Sequence, residues 1–339
     1  MPTVMIVDDS AYVRFVLKDR FKRRGWEAVG VSSGEEAMTQ FPQLRPDLIT
    51  MDVLMPNMDG IQTVKAIRAR WDGPIIMVST TTQGGQDMTW RALEAGASDF
   101  VGKPSLQEPL DRVITQIIEK FEAIRRPFYG KPIRPLAANL PSLAISTRVV
   151  VIGASTGGPK AIGTVLSHFK APWSIPVVII QHMPPNFTAS LAARLSQIVG
   201  VSVKESPLSP DICSWHSGQI ILARGGYHLR MNEHGLWSEE GVRVHGVIPA
   251  VDTTGLDGVR IFGGDLCMAI LTGMGEDGAE AAFRCRQAGG QVMVQDPASA
   301  VVWGMPQATI NRNAANLVGS LDEIGVWLNE VIHNGKPVS

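Results

Sequence analysis

Cysteine is scarce, with three residues in a chain of 339, at Cys213, Cys267 and Cys285. An odd number without Cys-x-x-Cys spacing cannot all pair, which argues against a disulfide scaffold and a cysteine-built zinc site and fits a reducing compartment. Net charge is almost absent as well, 31 Lys and Arg standing against 32 Asp and Glu. That balance argues against a broad basic surface for nucleic acid. No window approaches the ~20 consecutive apolar residues of a membrane-spanning helix, so no membrane insertion is expected. The opening Met1-Pro2-Thr3 reaches Asp8 and Asp9 without the basic segment and long apolar core of a secretory signal, and a cytoplasmic setting is expected. What is abundant is apolar residue, 45% against 19% charged, the composition of a globular chain. At ~150 residues per domain the length predicts about two domains.

The first third alternates short apolar runs with amphipathic stretches. Val4-Met5-Ile6-Val7, Ala28-Val29-Gly30-Val31, Leu48-Ile49-Thr50-Met51, Ile75-Ile76-Met77-Val78 and Phe100-Val101 read as five strands. Helical periodicity follows each of them, over 11–24, 34–40, 61–70, from the fourth strand through Ala95, and 109–124. Such alternation implies a doubly wound parallel sheet of flavodoxin-like type over residues 1–124, with the strand C-ends along one edge. Residues 125–147 lose the period and hold Pro127, Pro132, Pro135 and Pro141, which predicts a semi-extended linker. From Arg148 the alternation restarts. Strands are expected at 149–152, 176–180, 201–203, 219–222, 267–271 and 291–294, with a helix from Gly278 and further helices toward the C-terminus. Residues 226–246, with Gly235 between short alternating runs, read as a hairpin. A second domain over 148–335, mainly parallel α/β with a β-hairpin insertion, is predicted.

Two constellations carry chemistry. Asp8 and Asp9 end the first strand and Asp52 ends the third, and neighbouring strands bring these carboxylates to one edge. Three close carboxylates repel unless a hard cation sits among them, and oxygen ligands without Cys or His point to Mg²⁺. Ser79 and Lys103, after strands four and five, would add a hydroxyl and an ammonium. The set suits a phosphoryl group transferred to Asp52 as nucleophile. Capping of the first helix by Asp9 or Ser10, and a plain loop role for Asp52 ahead of Pro56, are the competing readings.

The second constellation starts at Gly153-Ala154-Ser155-Thr156-Gly157, a Gly-x-Ser-x-Gly turn directly after a strand. The glycines permit a sharp turn that presents the serine hydroxyl at a helix N-terminus. His182 follows the next strand, and Asp277 lies in the glycine-rich loop Thr272-Gly273-Met274-Gly275-Glu276-Asp277-Gly278. Together they offer nucleophile, base and orienting acid. The order Ser, His, Asp differs from the Ser, Asp/Glu, His order of α/β hydrolases. A degenerate dinucleotide loop, a structural histidine and a helix N-cap at Asp277 compete as readings. The other six histidines, His168, His216, His228, His234, His245 and His333, lack paired metal-ligand spacing, which argues against a zinc hydrolase.

Asp8-Asp9-Ser10, the run Met51–Gly60 and Val101-Gly102-Lys103-Pro104 resemble a response-regulator receiver domain over about residues 1–122. The resemblance implies that Asp52 accepts the phosphoryl group and that Asp9, Asp52 and the Leu54 carbonyl ligate Mg²⁺, supported by Asp8. It makes Ser79 the switch hydroxyl and Lys103 the characteristic lysine. The runs Ile152–Pro159, Gln181–Pro185, Leu271–Ala279 and Ala298–Pro306 resemble the CheB-type chemotaxis protein-glutamate methylesterases. By that resemblance Ser155 is the nucleophile, His182 the base and Asp277 its orienting acid, with Thr156 and Met274 beside the centre and no cofactor needed for ester hydrolysis.

The implied activity is removal of methyl esters from glutamates of chemoreceptors, with release of methanol and further deamidation of receptor glutamines. A histidine kinase would supply the phosphoryl group. The receiver would cover the catalytic edge until Asp52 is phosphorylated. Two departures fall on the expected rim. The family's His-Arg-Pro-Ser-Val-Asp block reads Val247-Ile248-Pro249-Ala250-Val251-Asp252, and its Ala-Pro-Gly-Gly turn reads Ala223-Arg224-Gly225-Gly226. An altered rim leaves an alternative, a receiver-regulated adaptor that binds a partner without turnover.

Overall fold

A computed structural model describes residues 1–79, 83–103, 110–125 and 146–338. It divides into two compact units, Met1–Pro127 and Phe128–Ser339. Most of the expected linker, residues 126–145, lies outside the described residues, as do Pro104 and Pro109. Among the described residues no helix is long and apolar enough to cross a membrane.

The first unit runs β1 (Thr3–Val7), α1 (Ala11–Arg23), β2 (Glu27–Val31), α2 (Gly34–Leu44), β3 (Leu48–Asp52), α3 (Gly60–Arg68), β4 (Ile75–Ser79), α4 (Gln83–Glu94), β5 (Asp99–Gly102) and α5 (Leu110–Arg125). The strands form one parallel sheet in the order β2-β1-β3-β4-β5, as the alternation predicts. Strands β3 and β4 are buried from end to end, because helices cover both faces. On one face Leu17 and Phe21 of α1 pack with Trp26 and with Ile117 and Phe121 of α5. The Trp26 and Phe121 rings meet edge-on at 4.8 Å between centroids. Burial of each such side chain contributes about 1.5–3 kcal/mol. Ser10 caps α1, its hydroxyl accepting the Val13 amide, so the capping reading is correct for Ser10. Asp59 and Gln62 form a full capping box at α3. Helix α2 outruns its expected end at Gln40, continuing through Pro42 to Leu44, because Phe41 is buried edge-on against Trp71.

The second unit contains β6 (Val149–Ala154), α6 (Gly158–Leu166), β7 (Val177–Gln181), α7 (Phe187–Val199), β8 (Val203–Glu205), β9 (Cys213–Ser214), β10 (Ile220–Leu222), β11 (His228–Asn232) and β12 (Gly235–Glu239). It continues with α8 (Val251–Phe262), β13 (Leu266–Ile270), α9 (Ala279–Gln287), β14 (Gln291–Gln295), α10 (Gly304–Asn311), β15 (Leu317–Gly319) and α11 (Leu321–Asn334). Seven strands form a parallel sheet in the order β15-β14-β13-β6-β7-β10-β8. The expected hairpin is present as β11 and β12, joined to β9 in a separate antiparallel sheet. Its turn is Glu233-His234, and Gly235 opens the second strand rather than separating the two. An added Cβ there would lie 2.3 Å from the Cys213 carbonyl oxygen, so the close strand pairing requires glycine. The strand expected at 201–203 is displaced to Val203–Glu205, since it pairs through Lys204 with Ile221.

Candidate active site

In the first unit, β1 and β3 run in parallel register with Val7 opposite Met51, so the next residues place Asp8 beside Asp52. Both carboxylates are buried, whereas Asp9 is exposed. Lys103, directly after β5, brings its ammonium to 2.6 Å from Asp52 Oδ2 and 3.1 Å from Asp8 Oδ2. Burial, reinforced by the Asp8 charge, holds the Asp52 carboxyl above the usual aspartate range although Lys103 pulls it down. Burial alone would lower the Lys103 ammonium, but Asp52 and Asp8 outweigh it and raise it. Carboxylate oxygens of Asp8, Asp9 and Asp52 come within 4.8 Å of one another, and two of the three carboxylates are buried. The single Lys103 charge offsets one of these three carboxylates, and a cluster of hard oxygen donors of this kind fits Mg²⁺. The Leu54 amide donates to Asp52 Oδ1 at 3.4 Å, which sets the Leu54 main chain beside the carboxylate. Ser79 is buried, and its hydroxyl donates to the Gly85 carbonyl while accepting from Thr89 at 2.6 Å. These bonds tie it to the first turns of α4.

In the second unit, β6 lies between β13 and β7, with Ala154 opposite Gln181 and Ile270 opposite Gly153. Ser155 and His182 are therefore the next residues off adjacent strands, and the His182 amide still donates to the Ala154 carbonyl at 3.0 Å. Adjacent strands are about 4.8 Å apart. The Ser155 amide donates to the Thr272 carbonyl at 2.9 Å, binding its turn to the loop after β13. Gly157 has φ of 76°, the left-handed conformation that starts α6 directly behind the serine.

Asp277 reaches His182 from the far end of the Thr272–Gly278 loop. Its Oδ2 lies 2.7 Å from His182 Nε2 and accepts the Val251 amide at 2.6 Å, while Oδ1 accepts the Asp252 amide at 2.9 Å. These amides are the free N–H groups of the first turn of α8, whose preceding residue Ala250 supplies no side-chain cap. The capping reading of Asp277 thus needs correction. It caps α8, far away in sequence, and not the following helix α9, which starts behind Gly278. Burial works to raise the Asp277 carboxyl, but the His182 ring and the two amides outweigh it and hold it below the usual range. The other ring nitrogen, His182 Nδ1, is buried without a hydrogen-bond partner.

Thr156 is buried, and its carbonyl accepts the Thr272 hydroxyl at 2.9 Å. Met274 is 38% exposed, a rim position. The segment Ala298–Pro306 joins the same edge, with the Gly273 amide donating to the Val302 carbonyl at 2.9 Å. The altered rim residue Arg224 is held at the sheet edge, 3.3 Å from Glu205. Val247 pairs with Val244 in the turn ahead of α8.

Sequence reasoning missed helix α8 and with it the acceptor role of its N-terminus. It missed Gln181 and Gln295, buried at the ends of β7 and β14. It also set His245 aside, whereas His245 Nε2 lies 2.9 Å from Asp252 Oδ2 beside the Asp277 cluster. The clue available was polar residues closing otherwise apolar strands.

A family model described as CheB methylesterase matches residues 150–328, and one described as response regulator receiver domain matches 4–115. A protein-glutamate methylesterase/protein-glutamine glutaminase of Trichodesmium erythraeum is 36% identical over 95% of this chain and 96% of its own. A protein of the same name from Thermotoga maritima is 35% identical, over 93% of this chain and 94% of its own. The crystal structure of the Thermotoga maritima CheB methylesterase catalytic domain matches with a TM-score of 0.52 at 34% identity, covering 55% of this chain and 100% of that one. The chain belongs to the CheB methylesterase family of carboxylic ester hydrolases and carries a response regulator receiver domain.

Proposed function

We propose that the chain is a protein-glutamate methylesterase acting on chemoreceptors, with deamidation of receptor glutamines as a second reaction of the same site. The observation that carries this reading is the His182 ring, one nitrogen on the buried Asp277 and the other without a partner. A carboxylate on Nε2 keeps the proton there and leaves a lone pair on Nδ1. His182 Nδ1 then takes the Ser155 hydroxyl proton as Ser155 Oγ attacks the ester carbonyl. The tetrahedral intermediate collapses and methoxide leaves, taking that proton from His182 as methanol. Water, deprotonated by His182, attacks the acyl-enzyme. Glutamate is released as Ser155 Oγ recovers its proton. With a glutamine substrate, ammonia leaves instead of methanol.

The receiver, assigned to residues 1–124, is joined through 125–147 to a catalytic domain assigned to 148–335. Phosphorylation of Asp52 by a histidine kinase raises the esterase rate. Asp8, Asp9, Asp52 and the Leu54 carbonyl would hold Mg²⁺, which supplies charge neutralisation at the acceptor. Lys103 neutralises the acceptor from the protein side. Ser79 is the hydroxyl that exchanges its α4 partners for the new phosphoryl oxygens. Phosphorylation adds about 1.5–2 negative charges at that point. The enzyme works in the cytoplasm.

Methanol release from methylated receptor membranes, with and without acetyl phosphate, tests this. Wild type is expected to release methanol faster with the phosphodonor, Ser155→Ala to release none, and Asp52→Asn to lose the stimulation. Full activity in Ser155→Ala would remove the nucleophile assignment. No release by wild type under either condition would favour a docking protein without turnover.

A further inference from the structure

Among the residues that close the strands of the second unit, Gln181 touches both halves of the catalytic pair. It is the last residue of β7 and 2% exposed. Its side-chain nitrogen donates to the Ser155 carbonyl at 2.9 Å and to the His182 carbonyl at 3.0 Å. Both amide hydrogens are thereby used. The opposite orientation of the amide would face an oxygen to two carbonyl oxygens, so the hydrogen-bond network fixes this one.

We propose that Gln181 is a positioning residue for hydrolysis, a side-chain rung that sets the separation of Ser155 from His182. The proposal rests on the assignment of those two as nucleophile and base. The backbone ladder between β6 and β7 ends with the His182 amide on the Ala154 carbonyl. Beyond it the two chains diverge into separate turns, and the Gln181 amide bridges them at the level of the reacting side chains. The Ser155 carbonyl takes a second donor, the Gly158 amide at 2.7 Å, so the serine turn is held from both sides.

Two further features separate this from ordinary core filling. Gln181 Oε1 is buried without a hydrogen-bond partner, a cost that an apolar side chain of equal size would avoid. The molecule accepts that cost at the one point where two donor hydrogens reach both carbonyls. Gly158 also makes room for it, since a Cβ there would lie 2.0 Å from Gln181 Oε1. Displacement of a reacting group by about 1 Å can cost ~10²-fold in rate, so a rung of this kind acts on turnover.

The test uses the full chain with Gln181→Leu and Gln181→Glu, beside Ser155→Ala. Methanol release gives kcat and KM, thermal denaturation gives Tm, and a fluorophosphonate probe reports the reactivity of Ser155. Gln181→Leu removes both donors at similar volume, and kcat is expected to fall about 10- to 100-fold with KM within about twofold. Labelling of Ser155 is expected to slow in parallel. Gln181→Glu, nearly isosteric, has no donor when ionised and one when protonated. Its rate relative to wild type is expected to recover as pH is lowered, which a merely structural role would not produce. If both variants turn over at the wild-type rate per folded molecule, or lose only Tm, while Ser155→Ala is inactive, Gln181 has no positioning role and the nucleophile assignment stands. Activity in Ser155→Ala would instead overturn the assignment on which the proposal rests.

Discussion

Asp252 and Asp277 cap each other's helices. Asp277, in the loop ahead of α9, accepts the Asp252 amide in the first turn of α8 at 2.9 Å, and Asp252 accepts the Ala281 amide in the first turn of α9 at 2.8 Å. Each carboxylate thereby sits at a helix N-terminus, where free amides and the helix dipole favour negative charge. The exchange holds α8 and α9 together and presents Asp277 to His182 in a single orientation. The two acids do not share the arrangement equally. Burial and the neighbouring Asp277 charge push the Asp252 carboxyl up, although Ala281 and His245 pull against them.

Asp277→Asn is expected to reduce methanol release by on the order of 10²-fold or more. Asp277 Oδ2 accepts from His182 Nε2 and Val251, and Oδ1 accepts from Asp252, so an asparagine NH₂ must face a donor in either orientation. Loss of part of the α8 cap adds a stability cost of about 1 kcal/mol. Methanol release and thermal denaturation of the variant check both figures. An unchanged rate would remove Asp277 from the orienting role.

Asp252→Asn is expected to gain stability relative to wild type as pH rises. The Asp252 carboxyl is raised in the folded protein, so folded wild type holds its proton longer than the unfolded chain does. Wild type therefore loses stability relative to the variant as pH climbs from about 4, the ordinary aspartate value, through the raised folded value. Asparagine keeps an acceptor for Ala281 and offers a donor to His245. The Asp277 contribution, present in both proteins, has the opposite sign. It is complete above about pH 4 and is lost as pH falls through the lowered folded value. Tm of the two proteins, recorded from pH 4 to 8, should diverge. A constant difference across that range would contradict the raised carboxyl.

Gly158→Ala is expected to slow hydrolysis more than it lowers Tm. The new Cβ would meet Gln181 Oε1 at 2.0 Å and the Ala154 Cβ at 2.8 Å, and the pinned glutamine must give way. Overpacking of this kind costs about 1–3 kcal/mol. Gly163→Ala on the same helix serves as the control. Its Cβ meets only the end of the Ile198 side chain at 3.2 Å, and alanine for a mid-helix glycine adds about 0.5–1 kcal/mol. Equal rates in the two variants would show that crowding at Gln181 leaves the centre undisturbed.

Mg²⁺ is expected to raise the unfolding temperature of the receiver, adding about 1.4 kcal/mol for each tenfold rise in free ion above its Kd. Asp9 is exposed and contributes little to the core, so Asp9→Ala should fold normally and lose most of that shift. Chelation should likewise abolish phosphorylation by acetyl phosphate. A full Mg²⁺ shift in Asp9→Ala would move the ion away from these carboxylates.

Much of both centres was legible because parallel sheets obey a local rule. A short apolar run bounded by glycine or polar residues predicts a strand, and the residue after it falls on the edge where sites form. Asp8, Lys103, Ser155 and His182 follow strands in this way, and Asp52 closes one. Asp277 was legible as the partner of His182 but not as the cap of α8, since that capping joins segments 25 and 26 residues apart that only packing brings together. Helix α8 itself, VDTTGLDGVRIF, carries two glycines and two aspartates over twelve residues, types that weigh against a helix. It forms because its buried face packs on β11 and α9.

The amino-acid order by itself determined two alternating α/β segments, the strand ends that carry the acidic cluster and the serine turn, and the absence of a cysteine scaffold. Those features follow from burial period and turn chemistry, which act over a few residues. Only the tertiary structure decided that Asp277 binds the amides of α8, that His245 is paired with Asp252, and that one glutamine amide spans the Ser155 and His182 carbonyls. Such contacts depend on directions fixed when distant elements dock, and a hydrogen bond is sensitive to tenths of an ångström that no local pattern encodes.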